Sequence, residues 1–142
     1  MNTHENYVSL EVAKLLKEAG FDWECNEFWM RYIDGDGDKL NYTDEFYLKN
    51  GNSLNWNDNV QSMSYDKPDV VIRFSAPTLS VAQKWLREVK GYEIYVRKSE
   101  LYYGDYIFYL NGACYVHQHF LTYEEAQEAG IKKCLTLILE KV

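Results

Sequence analysis

The chain has 142 residues, 46% of them hydrophobic, and a formal net charge of −7. This length and apolar content allow one folded domain and exclude wholesale disorder, and no apolar run approaches the roughly 20 residues that a membrane-spanning helix requires. The acidic balance disfavours nucleic acid as a partner, because nucleic-acid binders draw much of their affinity from cationic contacts with phosphate.

A first helix is predicted between Ser9 and Gly20. Ser9 suits the N-cap position, and Gly20 suits the position just past the end of a helix. The apolar residues between them recur at helical spacing and form one stripe, which is expected to face the core. Its members are Leu10, Ala13, Leu16 and Ala19, widened by Val12 and Leu15.

The pattern changes to period two after this helix, which predicts β-structure. We expect a strand at 28–33, a turn at 34–37, a returning strand at 42–48 that ends before Asn50-Gly51, and a short buried strand at 70–74. Residues 52–69, rich in Asn, Asp and Ser, are interpreted mainly as loop.

A second helix is predicted from Thr78 to about Lys90, with Pro77 at its start. Its apolar face includes Trp85 and Leu86, which we expect in the core together with Leu135 of the third helix.

The C-terminal part predicts three strands and a final helix. Tyr92, Ile94 and Val96 share one side of a strand, and segments 106–110 and 114–120 form a hairpin around Asn111-Gly112, a strong type I′ turn signal. The third helix opens at Thr122, which has capping-box spacing to Glu125. Gly130 inside that helix costs about 1 kcal/mol relative to Ala, which predicts a close contact at this position.

These elements predict an α+β fold in which three helices pack on an antiparallel sheet. We interpret 1–142 as one domain, with two candidate sub-units: an acidic α-β part at 1–74 and a part at 75–142 that reads α-β-β-β-α. The latter order is similar to that of the double-stranded-RNA-binding domain. Thr122-Tyr123-Glu124-Glu125 would repel phosphate where that domain places basic residues, so an RNA function is disfavoured.

Three segments carry a further resemblance. Residues 9–18 (SLEVAKLLKE), 75–89 (SAPTLSVAQKWLREV) and 122–126 (TYEEA) together resemble a group of small proteins encoded in phages and prophages of gut bacteria. The resemblance implies a phage-derived origin and a cytoplasmic setting, and it transfers no active residues.

An internal similarity links the first two helices. Residues 9–13 (SLEVA) match 78–82 (TLSVA), and each helix ends in a glycine followed by an aromatic residue, Gly20-Phe21 and Gly91-Tyr92. Duplication and the common requirements of helix capping explain this similarity equally well.

The best-defined candidate site is an aspartate-rich segment. Asp34, Asp36, Asp38 and Glu45 occupy positions 1, 3, 5 and 12 of an EF-hand loop, which makes them candidate calcium ligands. Lys39, however, stands where the sharp turn of such a loop needs glycine. A hairpin turn exposed to solvent is therefore the favoured interpretation, and no metal or other cofactor is predicted.

The same segment also marks a candidate partner surface. Residues 1–69 hold 14 acids and 6 bases, whereas 70–142 hold 8 acids and 9 bases. The predicted partner is a basic host or phage protein, and the alternative is that the acidic residues serve solubility alone. The residues predicted to bind it are Asp34, Asp36, Asp38, Asp44 and Glu45.

The remaining chemically suggestive residues have simpler interpretations. His117 and His119 share a strand face but lack a third metal ligand, so ordinary strand histidines are favoured. Lys84, Arg87 and Lys90, with Arg97 and Lys98 nearby, form either a phosphate-docking patch or a helix face exposed to solvent. The three cysteines, Cys25, Cys114 and Cys134, have no zinc spacing and are predicted to be free thiols.

These patterns include no catalytic signature, so the predicted function is that of a non-catalytic, acidic protein-interaction module. The alternative is a small-molecule or metal-binding protein that uses an aromatic sheet surface or the 34–38 loop. An exposed aromatic patch on the sheet would favour the first, and a closed pocket with convergent polar groups the second. Without a basic and apolar leader, the chain is expected in the cytoplasm.

Overall fold

The computed structural model describes residues 6–33, 46–57, 62–63, 68–100, 104–115 and 118–141. It has three helices and seven strands within these ranges, all paired strands being antiparallel. In chain order they are α1 (Leu10–Glu18), β1 (Cys25–Ile33), β2 (Tyr47–Leu54), β3 (Ser62–Met63), β4 (Pro68–Ser75), α2 (Leu79–Val89), β5 (Ile94–Lys98), β6 (Tyr106–Leu110), β7 (Ala113–Cys114) and α3 (Tyr123–Glu140).

Ser9 and Thr122 cap their helices as predicted, and the second helix is capped by Thr78, the residue after Pro77. The Ser9, Thr78 and Thr122 hydroxyls each accept a hydrogen bond from the amide three residues further on, at 3.3, 3.2 and 3.1 Å. Gly20 and Gly91 follow the first two helices at φ +96° and +76°, the left-handed region that favours glycine at this position.

The strands form two sheets. The first, called here the N-terminal sheet, has the order β2-β1-β4-β3, and the second, the C-terminal sheet, has the order β5-β6-β7. The α+β class and the C-terminal α-β-β-β-α order are therefore confirmed, with the strands divided between two sheets.

The prediction for β2 was wrong in its boundaries. The strand is Tyr47–Leu54, so Asn50-Gly51 lies within it, and residues 42–45 lie outside the described ranges. Gly51 allows two aromatic rings to pack closely against the backbone and does not form a turn. A Cβ at this position would lie 2.9 Å from the Trp56 ring and 3.2 Å from Phe28.

The predicted loop at 52–69 was also partly wrong. It contains the end of β2, the short strand β3 and the start of β4, and β3 pairs with β4 through Ser62 and Met63. Polar composition concealed these pairings, since backbone hydrogen bonds do not depend on side-chain hydropathy.

The C-terminal hairpin turns where the sequence predicted. Asn111 and Gly112 have φ of +49° and +86°, as a type I′ turn requires. The returning strand β7 covers only Ala113–Cys114, whereas 114–120 was predicted; residues 116–117 lie outside the described ranges, and Phe120 pairs with Tyr106 as an isolated bridge.

Helix α3 lies at the centre of the packing. It contacts α1, α2, β5 and β6, and one contiguous core draws residues from all three helices and both sheets. Trp85, Leu86 and Leu135 are buried, as predicted. The predicted close contact at Gly130 is also present, since a Cβ there would lie 2.9 Å from Ile94 Cγ2. No helix in the described ranges is long and apolar enough to cross a membrane.

Candidate functional site

The aspartate-rich segment lies outside the described ranges. This applies to Asp34, Asp36, Asp38, Asp44 and Glu45, so both the calcium hypothesis and the partner hypothesis for these residues stay predictions.

His117 also lies outside the described ranges, whereas His119 has a defined partner. Its Nδ1 lies 2.5 Å from Asp105 Oδ2, an exposed contact that joins the start of β6 to the segment before α3. Among the described residues, no three metal-ligating side chains cluster.

The three cysteines, all free, divide into two classes. Burial raises the pKa of the Cys25 thiol to about 11 and that of Cys134 to about 12, so both are protonated thiols at neutral pH. Cys114 is exposed and lies opposite Tyr109 in the ladder. The two buried thiols are unsuited to nucleophilic chemistry.

A small groove lies beside Cys25, with a cavity volume of about 140 Å³. Its polar group Glu27 already accepts hydrogen bonds from the Tyr7 hydroxyl at 3.3 Å and from Asn50 Nδ2 at 2.7 Å. Sites for drug-sized ligands run from about 300 Å³ upward, so this groove is a poor match for the small-molecule alternative.

A larger groove of about 420 Å³ lies where α1 meets α3. Two of its three glutamates have internal uses: Glu128 accepts a hydrogen bond from the Ser9 amide at 2.8 Å, and Glu11 pairs with Lys132 at 2.8 Å. The first of these contacts caps α1, and both fasten α1 to α3. They are structural contacts, so the groove offers little unused polar chemistry.

The solvent-facing side of the C-terminal sheet has a different character. Alternation along β5 buries Ile94 and Val96 against the core and turns Tyr95, 59% exposed, to the outside. Tyr109 is its register partner on β6, and the two rings lie 5.9 Å apart. The Arg97 guanidinium lies 5.7 Å from the Tyr109 ring centre. This outer face of Tyr95, Arg97 and Tyr109, called here the tyrosine face, combines an exposed tyrosine, a half-buried tyrosine and an exposed cation.

The cations on and beside β5 lack carboxylate partners. Arg97 and Lys98 are exposed and form no ion pair within the part of the chain that the structure describes. On α2, Lys84 pairs with Glu88 at 3.8 Å, whereas Arg87 is exposed and Lys90 reaches back over the buried Trp85 ring at 5.5 Å. Arg97 thus places a positive charge on the tyrosine face, whereas the Lys98 amine lies 5.9 Å from the ring centre of Tyr106, on the other face of the sheet.

Strand β5 is also an edge strand. The amide of Ser99 donates to Asp105 O and that of Asn111 to Glu93 O, both at 2.8 Å, so odd-numbered residues of this strand direct their backbone groups toward β6. The even-numbered residues consequently direct theirs to the open side of the sheet.

One position on that open side is already occupied. The Nε2 group of Gln83, on α2, donates a hydrogen bond to Ile94 O at 2.7 Å. The Oε1 atom of Gln83 in turn accepts a hydrogen bond from Gln127 Nε2, also at 2.7 Å. The outward groups of Val96 and Lys98 have no partner among the described residues. The edge of β5 therefore remains open over its second half.

Comparison with known proteins adds no identification: no family model matches the chain, and no similar curated protein or solved structure was found. The functional argument consequently depends on the geometry of the described residues.

Sequence reasoning identified some of these residues without assembling them. Arg97 and Lys98 were noted as neighbours of a basic helix face, and the alternation in β5 was predicted. The pairing of Tyr95 with Tyr109 depends on the β5–β6 register, which the Asn111-Gly112 turn does not determine, because that turn sets the register of β6 with β7.

Proposed function

We propose that this chain is a non-catalytic protein-interaction module that binds a partner through the C-terminal sheet. The observation that carries the proposal is the tyrosine face, where a 59% exposed Tyr95 stands beside Tyr109 and an Arg97 without a carboxylate partner. Tyrosine and arginine are enriched at protein interfaces because each combines contact area with a polar end.

Two further observations support binding over catalysis. The buried thiols have raised pKa values, and two of the carboxylates of the larger groove, Glu11 and Glu128, are engaged in ion pairing and capping. The tyrosine face lies on an open surface, where a macromolecular partner rather than a small substrate would make the contacts.

Two predictions remain part of this proposal. The resemblance to phage-encoded proteins makes an accessory role in phage biology the favoured setting. A basic partner for the 34–45 segment remains a separate prediction, because the positive charge near the tyrosine face would suit an acidic partner instead.

Site-specific photocrosslinking tests the proposal. A benzophenone amino acid replaces Tyr95 in one variant and Leu54, which is 48% exposed on the N-terminal sheet, in a control. In cells that produce the protein, we expect a discrete crosslinked adduct from position 95, lost on adding Arg97→Glu, and none from position 54. Equal adducts at both positions, or adducts that Arg97→Glu leaves unchanged, would contradict the proposed surface.

A further inference from the structure

The open half of the β5 edge suggests how a partner would be held. Val96 and Lys98 each present an N–H and a C=O group to the side of the sheet opposite β6, and no described residue bonds them. Unpaired ladder groups of this kind pair readily with an extended segment of another chain, which then adds a strand to the sheet.

The charge of this edge selects the partner. Arg97 and Lys98 lie within the open half of β5 and form no ion pair in the described part of the chain, whereas the exposed acids Glu93 and Glu100 lie beyond its ends. An acidic segment would neutralise these cations, whereas a basic segment would be repelled.

The side-chain directions add a second requirement. In a strand, alternate side chains point to opposite faces, so an added strand would place every second residue beside Tyr95 on the tyrosine face. The exposed ring of Tyr95 offers that residue an apolar contact surface.

We infer that the β5 edge binds an extended acidic segment of a protein partner by strand addition, with acidic residues beside Arg97 and Lys98 and one apolar residue beside Tyr95. This inference rests on the proposed function and specifies its binding mode. Gln83 already bonds Ile94 O, so only Val96 and Lys98 have outward backbone groups left to pair with a partner strand. We therefore expect the contact to be short and transient.

A second copy of this chain is the competing occupant. Pairing β5 with β5 would bring Arg97 and Lys98 of both copies to one short interface, and so few residues bury far less than the roughly 1,200 Å² of a stable interface. The structure therefore favours an acidic segment.

The probe for this inference is a short fluorescein-labelled peptide of glutamates around a central valine, measured by fluorescence anisotropy. We expect saturable binding that weakens as salt increases, and no binding of a lysine–valine peptide. A glutamate–valine peptide N-methylated at alternate amides should not bind, because it cannot complete the ladder.

Two substitutions at one position separate the backbone contribution from the charge. Lys98→Pro removes an N–H that faces away from β6, so no ladder bond within the sheet is lost, and Lys98→Ala removes the same charge while keeping the N–H. We expect Lys98→Pro to bind the peptide about tenfold more weakly than Lys98→Ala, as the loss of one main-chain hydrogen bond predicts. Circular dichroism checks that both variants fold.

Equal affinity of the two folded variants would overturn the inference. If Lys98→Pro fails to fold, the N-methylated peptide decides with the unmodified protein: binding equal to that of the parent peptide overturns strand addition. A dimer that Lys98→Pro converts to a monomer would assign the edge to a second copy.

A crosslink from position 95 that persists in Lys98→Pro would leave the proposed function standing and refute this mode of binding.

Discussion

The two sheets use their aromatic residues differently. Phe108 of the C-terminal sheet is fully buried among core residues of β5 and α3. Phe74 of the N-terminal sheet is half-buried, and the amines of Lys14 and Lys17 lie 5.9 and 5.1 Å from its ring centre. Phe108 is thus shielded from water by apolar packing, and Phe74 is covered by lysine stems from α1. An aromatic content of 16% therefore describes no single role.

A second contrast concerns the strands that follow the two similar helices. Both α1 and α2 are capped by a hydroxyl and end before a glycine of positive φ. Yet β1, which follows α1, is paired on both sides, whereas β5, which follows α2, is an edge strand paired on one side. Similar local sequence thus leads into different sheet positions, and this difference leaves β5 available for a partner.

The largest expected effect comes from the matched pair of phenylalanines. Phe108→Ala should lower the free energy of unfolding by about 3–5 kcal/mol, because it leaves a cavity in a rigid, fully buried site. Phe74→Ala should cost clearly less, since its ring is half-buried and the lysine stems can settle into the space. Urea denaturation of both variants checks this order, and equal losses would remove the contrast between the sheets.

A smaller effect tests the cations over the N-terminal sheet. A double-mutant cycle with Lys14→Met and Phe74→Leu should give a coupling free energy of about 0.5–1 kcal/mol, the usual size of an exposed cation–π contact. Lys84, which pairs with Glu88 instead of a ring, supplies the control cycle with the same Phe74→Leu change. Coupling no larger than that of the control would show that the lysine only lies near the ring.

Much of the fold was predictable because it depends on local chemistry. Ser9, Thr78 and Thr122 mark the helix starts with hydroxyl caps, and Asn111-Gly112 is one of the few pairs that tolerates two positive φ values. The strand around Asn50-Gly51 was not predictable in this way. Its glycine is required by the ring of Trp56, a tertiary contact that no local pattern contains.

The candidate surface was predictable only in part. Sequence alternation places Tyr95 and Arg97 on one face of β5, but it contains no information that β5 lies at the edge of a sheet. Whether a strand lies at an edge depends on which strands pair, and this is a tertiary property. The strands within the polar segment 52–69 of the N-terminal sheet were missed for a similar reason, because their pairing leaves no pattern in the sequence. The residues that sequence favoured as a site, Asp34 to Glu45, lie outside the described ranges.

The open edge of β5 is tested most directly by amide hydrogen exchange in the free protein, resolved by residue with NMR. The amides of Tyr95 and Arg97 face β6 and should be protected, whereas those of Val96 and Lys98 face the open side and should exchange quickly. Alternating protection along these four residues is the result the structure predicts. Equal, strong protection of all four amides would show that the edge is already covered, and the strand-addition mode proposed for β5 would then be wrong.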